Sequence, residues 1–212
     1  MRKHDKKSIR KILETFRNPR HREPRKRILI LCEGQTEVKY IKNFKSRRVN
    51  IKVISQRAKF RNPDGMIKEM LRKIKDDELY VRSGIDEAWC IYDIDTEPED
   101  NKILQNITNA RKNYINVAYS NPCFELWFLI HFEKCSTHLQ CTEILNRLKN
   151  YLPNYQKGKD IYNQISDKTT TAIQNAQYLE HIQQQNLSQN KYKNANPYTT
   201  VYQLTSRLLE VI

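Results

Sequence analysis

Glycine is scarce in this chain. Four occur in 212 residues (Gly34, Gly65, Gly84 and Gly158), and none forms a G-x-x-x-x-G-K-[ST] or G-x-G-x-x-G arrangement. Such loops need glycine so that backbone N–H groups can close on phosphate. A P-loop ATPase and an ordinary dinucleotide-binding enzyme are thereby excluded. The five cysteines are odd in number and include no C-x-x-C pair, which argues against a disulfide framework or a zinc ribbon. Cys32, Cys90 and Cys123 sit in apolar runs, where a thiol behaves as a small hydrophobe. Free thiols fit a reducing cytoplasm, the expected location. Long apolar runs are also missing. No window reaches the ~20 residues of a membrane span, and the first residues lack the apolar stretch of a signal peptide. Hydrophobic residues make up 38% of the chain and charged residues 29%, so the core must be compact and the surface heavily charged.

What is abundant is positive charge, a formal net of +14. Residues 1–27 hold twelve Lys/Arg against Asp5, Glu14 and Glu23, while the rest of the chain holds 26 basic and 21 acidic side chains. The composition predicts a flexible basic arm over 1–27. Such an arm suits a polyanion, because each Lys/Arg–phosphate contact releases counterions. Arg25, Lys26 and Arg27 are its expected nucleic-acid contacts near the folded part. The plain alternative is a solubilising leader.

Beyond the arm, apolar runs alternate with helical patterns. "ILILC" (28–32), "NIKVIS" (50–55), "EAWCIYDID" (87–95) and "YINVAYS" (114–120) read as strands. "TEVKYIKNFKSR" (36–47), "NPDGMIKEMLRKIKDDEL" (62–79) and "EDNKILQNITNARKN" (99–113) read as helices. The alternation predicts an α/β fold, a mostly parallel sheet flanked by helices, over 28–133. "NPCFELWFLIHFEK" (121–134) reads as a buried helix. Residues 134–212 then read as an all-helical C-terminal portion packed on that core, with a flexible polar loop over 183–197.

In open parallel sheets, chemistry collects beyond the carboxyl ends of the strands. Polar breaks at Glu33, Asp93 and Asn121 fall at such ends. "CEGQTE" puts Glu33 after a buried strand and Glu37 in the first turn of the next helix, where a carboxylate also complements the helix dipole. "YDIDTEPED" holds five carboxylates in eight residues. In extended geometry Asp93 and Asp95 point the same way. Two adjacent carboxylates repel unless a cation neutralises them, and oxygen-only ligands suit Mg²⁺. Glu97, Glu99 and Asp100 read as a helix start. Glu125 lies in the apolar run "SNPCFELWFLIHF", where a buried carboxylate needs a partner, an Arg or an ion. His131 reads as a core histidine. Lys157 and Lys159 in "QKGKD" are either phosphate contacts or members of a solvated loop.

Three blocks in order, "ILILCEGQTEVKYIKNF", "EAWCIYDID" and "SNPCFELWFLIHFE", resemble the RloB-like family, and "YQKGKDIYNQI" and "NPYTTVYQL" extend the resemblance to about 27–209. The resemblance implies a Toprim-like core of the kind found in topoisomerases, primases and OLD-type nucleases. In it a glutamate ends the first strand and a D-x-D follows the third. It makes Glu33 that glutamate, Asp93 and Asp95 the D-x-D, and Glu125 a further acidic position. It implies a nuclease that holds Mg²⁺ or Mn²⁺ on Glu33, Glu37, Asp93, Asp95 and Glu125 and cleaves DNA or RNA, tRNA included. It further implies a place in prokaryotic anti-phage defence beside restriction-modification or abortive-infection genes, with an ABC- or AAA-type ATPase partner. The missing P-loop agrees with an ATPase in trans. The competing reading is a non-catalytic sensor subunit that binds nucleic acid or the ATPase. A homo-oligomer stays open.

Overall fold

The computed structural model describes residues 25–55, 62–94 and 99–212. The basic arm up to residue 24, Asp95 and Glu97 lie outside the described residues.

Five strands form one sheet in the order β2-β1-β3-β4-β5. They are β1 (Arg27–Cys32), β2 (Asn50–Ser55), β3 (Glu87–Asp93), β4 (Ile115–Asn121) and β5 (Tyr198–Thr199). The first four run parallel, and β5 pairs antiparallel with β4. The inner strands are apolar without alternation because helices cover both faces of a parallel sheet. Ile28 to Cys32 and Ala88 to Tyr92 are all buried.

The crossovers are α1 (Gln35–Ile41), α2 (Pro63–Asp76) and α3 (Asp100–Lys112). The α2 start follows from its residues. The Asn62 side chain accepts the Gly65 N–H at 2.8 Å, and Pro63 opens the first turn, where its missing N–H costs nothing. Past β4 come α4 (Glu125–Leu129), α5 (Cys141–Tyr151), α6 (Tyr162–Ile165), α7 (Thr169–Ser188) and α8 (Val201–Val211). The predicted α/β class and helical C-terminal portion hold, with three refinements. The apolar block after β4 yields a five-residue helix followed by turns, not a long one. The helix α7 runs through Ser188, shortening the polar loop. Residues 198–199 add a strand to the sheet.

Two features place the site. The β1–β2 unit and the β3–β4 unit leave from neighbouring strands to opposite sides, so a switch point lies between the carboxyl ends of β1 and β3. Asn121, the polar break at the end of β4, turns the other way. Its side-chain amide donates to the carbonyls of Tyr192, Lys193 and Ala195 at 3.0, 3.2 and 2.8 Å. It clamps the C-terminal portion and is no part of the switch-point crevice.

Candidate functional site

Glu33 follows β1 directly. Its backbone N–H extends the ladder to the Ile91 carbonyl at 3.0 Å, and its carboxylate Oε2 accepts the Asp93 N–H at 2.9 Å. The end of β1 is thus tied to the end of β3 through the predicted glutamate itself. Gly34 then turns the chain into α1. A side chain at position 34 would begin 2.8 Å from Glu37 Oε2, so glycine here leaves the space in which the Glu37 carboxylate rests. Glu37 is 5% exposed, on the buried face of α1.

Glu125 opens α4 four residues past β4 and is 2% exposed. The segment from Tyr155 to Gly158 brings it partners. The Tyr155 hydroxyl donates to Glu125 Oε1 at 3.2 Å, and Lys157 Nζ stands 3.6 Å from Oε2. The Gly158 N–H donates to Thr36 Oγ1 at 3.0 Å, which fastens the segment to α1. Gly158 has φ +75°, in the left-handed region that glycine enters freely.

Glu33, Glu37, Asp93, Glu125 and Lys157 line one cavity of about 370 Å³, with Gln35, Thr36, Phe124 and Gly158. Four of the five predicted carboxylates are therefore together. Asp95 adjoins them in sequence, outside the described residues. A larger cavity of about 670 Å³ lies against Trp89 and Tyr119. Its acids are already engaged: buried Asp86 pairs with Arg27, half-buried Glu87 with Lys26 and Arg207, and half-buried Glu180 accepts the Tyr198 and Tyr202 hydroxyls. The smaller pocket gathers the predicted carboxylates.

The electrostatics reflect crowded negative charge. Burial pushes the Glu37 carboxyl up to about 7; its own backbone N–H and Lys157 oppose the rise, and Glu33 and Glu125 add to it. Burial disfavours charge on Lys157, yet Glu125, then Cys123, Asp93 and Cys141 outweigh it and raise its pKa. The Cys123 thiol is pushed up by its hydrogen bond with Cys141, by burial and by Glu125 and Asp93. Carboxylate charge contributes to all three shifts, behind burial for Glu37 and behind the Cys141 hydrogen bond and burial for Cys123.

The donor set is anionic and all oxygen, which suits Mg²⁺ or Mn²⁺ and not a thiolate-seeking metal. Among the described residues no group of three or more His, Cys, Asp or Glu is drawn up around one point as a ready-made cage.

The remaining predicted residues lie elsewhere. Lys159 points away, its Nζ donating to the Asn154 carbonyl at 3.1 Å. Lys26 and Arg27 stand at the amino end of β1, the opposite end of the sheet from the pocket. Arg27 is engaged by Asp86 at 2.6 Å and by the carbonyls of Asp77 and Glu78, and Lys26 by Glu87 at 2.9 Å. Those contacts hold the start of β1 in place. Arg25 is exposed beside them. His131 is buried as expected. Its Nδ1–H donates to the Trp127 carbonyl at 2.8 Å, and its ring meets the Trp127 indole edge-on at 5.0 Å. Tyr155 and Thr36 escaped the sequence reading, because a hydroxyl that supports a carboxylate leaves no spacing signature.

A family model described as RloB-like protein matches residues 28–208. No curated protein and no solved structure matches the chain.

Proposed function

The chain belongs to the RloB-like family, and on that premise we propose that it is a Toprim-like, metal-dependent nuclease that hydrolyses phosphodiesters of DNA or RNA. The proposal sets it in prokaryotic defence against phage, under the control of a partner ATPase. One observation carries the reading: Glu33, Glu37, Asp93 and Glu125 share a single pocket at the switch point of the sheet.

Glu33, Asp93 and Glu125 would hold Mg²⁺ or Mn²⁺, with Glu37 behind them and Asp95 as the second half of the D-x-D. When bound, the cation supplies Lewis acidity and positive charge for a phosphodiester gaining negative charge. The chain's own groups do the rest. The Asp93 N–H fixes the orientation of the Glu33 carboxylate, so that it can take a proton from an attacking water within hydrogen-bond reach. Burial, with the charges of Glu33 and Glu125, raises the Glu37 pKa to about 7 in the metal-free pocket, and a bound cation would lower it again by favouring the carboxylate. Lys157 and the Tyr155 hydroxyl hold Glu125 in place, and the Lys157 ammonium offers a cation to a substrate phosphate at the mouth of the pocket.

The test is cleavage of plasmid, linear DNA and tRNA by the purified chain with Mg²⁺ or Mn²⁺, with and without the partner ATPase. Glu33→Gln and Asp93→Asn are each expected to lower the rate by at least about 100-fold, the scale of a lost acid–base or ligand group. Cleavage that persists unchanged in both variants would sink the assignment. Nucleic-acid binding with no cleavage under any condition would favour the non-catalytic sensor.

A further inference from the structure

We propose that the exposed ridge of α1 and the turn after it form a phosphate track that leads a nucleic-acid strand to the carboxylate pocket. The proposal rests on the reading of that pocket as a phosphodiester site and names the surface that feeds it.

Charge is the first observation. Past residue 27 the positive excess is not spread out. Between Glu37 and Asp64 lie nine basic residues and no acidic one, whereas residues 64–212 carry 17 basic against 19 acidic side chains. A solvated face ordinarily mixes signs. A stretch of one sign builds a potential that draws in a polyanion.

Geometry is the second. The helix α1 buries Thr36, Val38, Tyr40 and Ile41 and exposes Gln35 and Lys39, with Lys42 exposed just past its end. Residues 35, 39 and 42 are four and three apart, so they stand in one row. Gln35 lines the pocket, which puts the start of the row at its rim. The chain then turns at Phe44, whose ring packs edge-on against Tyr40 at 5.6 Å and Tyr162 at 5.3 Å. The Ser46 hydroxyl donates to the Val211 carbonyl and accepts the N–H groups of Arg48 and Val49 at 3.0 and 3.1 Å. Exposed Lys45, Arg47 and Arg48 therefore project from a turn anchored on both sides.

The cations of this row are available. Lys52 is taken up by Asp77, Arg72 by Glu69 and Asp76, and Arg207 by Glu87 and Glu210. Among the described residues no ion pair engages Lys39, Lys42, Lys45, Arg47 or Arg48. Asp160, which reaches this stretch, accepts the Asn43 amide at 3.2 Å. No large apolar side chain is exposed between residues 35 and 48, so a lipid surface would gain nothing to insert. A linear row of cations ending at a recessed pocket fits a nucleic-acid backbone.

The experiment is fluorescence anisotropy of a labelled single-stranded oligonucleotide and its duplex on the full chain. It is run in EDTA from 50 to 200 mM KCl. The variant Lys39→Gln/Lys42→Gln/Lys45→Gln is compared with Lys102→Gln/Lys112→Gln/Lys149→Gln, which removes the same charge from other exposed positions. For three lost phosphate contacts, the slope of log affinity against log salt is expected to fall by about 2 for the single strand and about 2.7 for the duplex. Affinity at 50 mM should drop by at least about tenfold, with the control set close to wild type. Equal losses in both sets, no loss in the ridge variant, or binding to phosphatidylserine vesicles in preference to oligonucleotide would overturn the proposal. The two readings fail separately. A Glu33→Gln enzyme that cleaves normally removes the phosphodiester site and leaves the ridge as a binding surface. A ridge variant that binds and cleaves like wild type, beside an inactive Glu33→Gln, removes the ridge alone.

Discussion

At the scale of single residues, two buried titratable side chains, Glu37 and His131, have opposite meanings. Glu37 sits among other carboxylates in a pocket that opens to solvent, and its raised pKa reports their repulsion as well as burial. His131 is buried, and burial, with a smaller push from the Lys168 charge, drives its pKa down to about 4, against hydrogen bonds with the Trp127 and Phe128 backbone and the charge of Asp167. Nothing in the pocket touches it, so its consequence is stability. In the unfolded chain its pKa returns to about 6.5. Between about 6.5 and 4 the unfolded state takes up a proton that the folded state refuses. The stabilisation is therefore complete above about 6.5 and declines as pH falls toward 4, by up to about 3 kcal/mol. His131→Gln, which keeps a side-chain donor for the Trp127 carbonyl, is expected to flatten that decline in urea unfolding measured from pH 4 to 7.5. Parallel curves for variant and wild type would show that another group sets the acid limit.

At the scale of elements, the strand ends decide which polar residues enter the pocket and which hold structure. Glu33, Asp93 and Asn121 look alike in sequence, each closing an apolar strand. Glu33 and Asp93 close neighbouring strands at the switch point and meet. Asn121 turns to the loop over 192–195 and gives its amide to three carbonyls there. Replacing it by Ala leaves those carbonyls without their donor, a loss of about 1–3 kcal/mol. That loss should appear as a lower unfolding midpoint, with metal binding in the pocket unchanged. A stable Asn121→Ala chain with weakened metal binding would instead make Asn121 part of the site.

The same comparison shows what sequence could reveal. Alternating apolar runs and helical patterns are local, so the parallel strands and the carboxylates at their ends were legible. The partners of Glu125 were not. Lys157 and Tyr155 reach it across 32 and 30 residues, through a segment held by a backbone contact to Thr36. No periodicity encodes such a contact. The brevity of α4 and the two-residue β5 were hidden for a related reason. Both depend on how the C-terminal portion packs, and an apolar run alone does not separate a short helix with turns from a long helix.

For the whole molecule, charge is divided with purpose. The positive surplus lies in two places, residues 1–27 and the stretch between Glu37 and Asp64. Averaged over all residues past 27, the second stretch is hidden by the near-balanced charge of residues 64–212. Positive charge beside a pocket of carboxylates is a consistent design. On the proposed function, the cations would attract a polyanion, and the carboxylates, which alone would repel it, would require a divalent cation before phosphate could approach. Among the described residues no helix is long and apolar enough to cross a membrane.

That account depends on the pocket taking a divalent cation. The direct measurement is a titration of the full-length chain with Mn²⁺ followed by electron paramagnetic resonance, which reads bound metal without any need for substrate or ATPase. The wild type is expected to bind Mn²⁺ and to release it to excess Mg²⁺. Glu33→Gln combined with Asp93→Asn should lose that binding while keeping the wild-type circular dichroism. Mn²⁺ binding of equal strength and stoichiometry in the double variant would contradict the account.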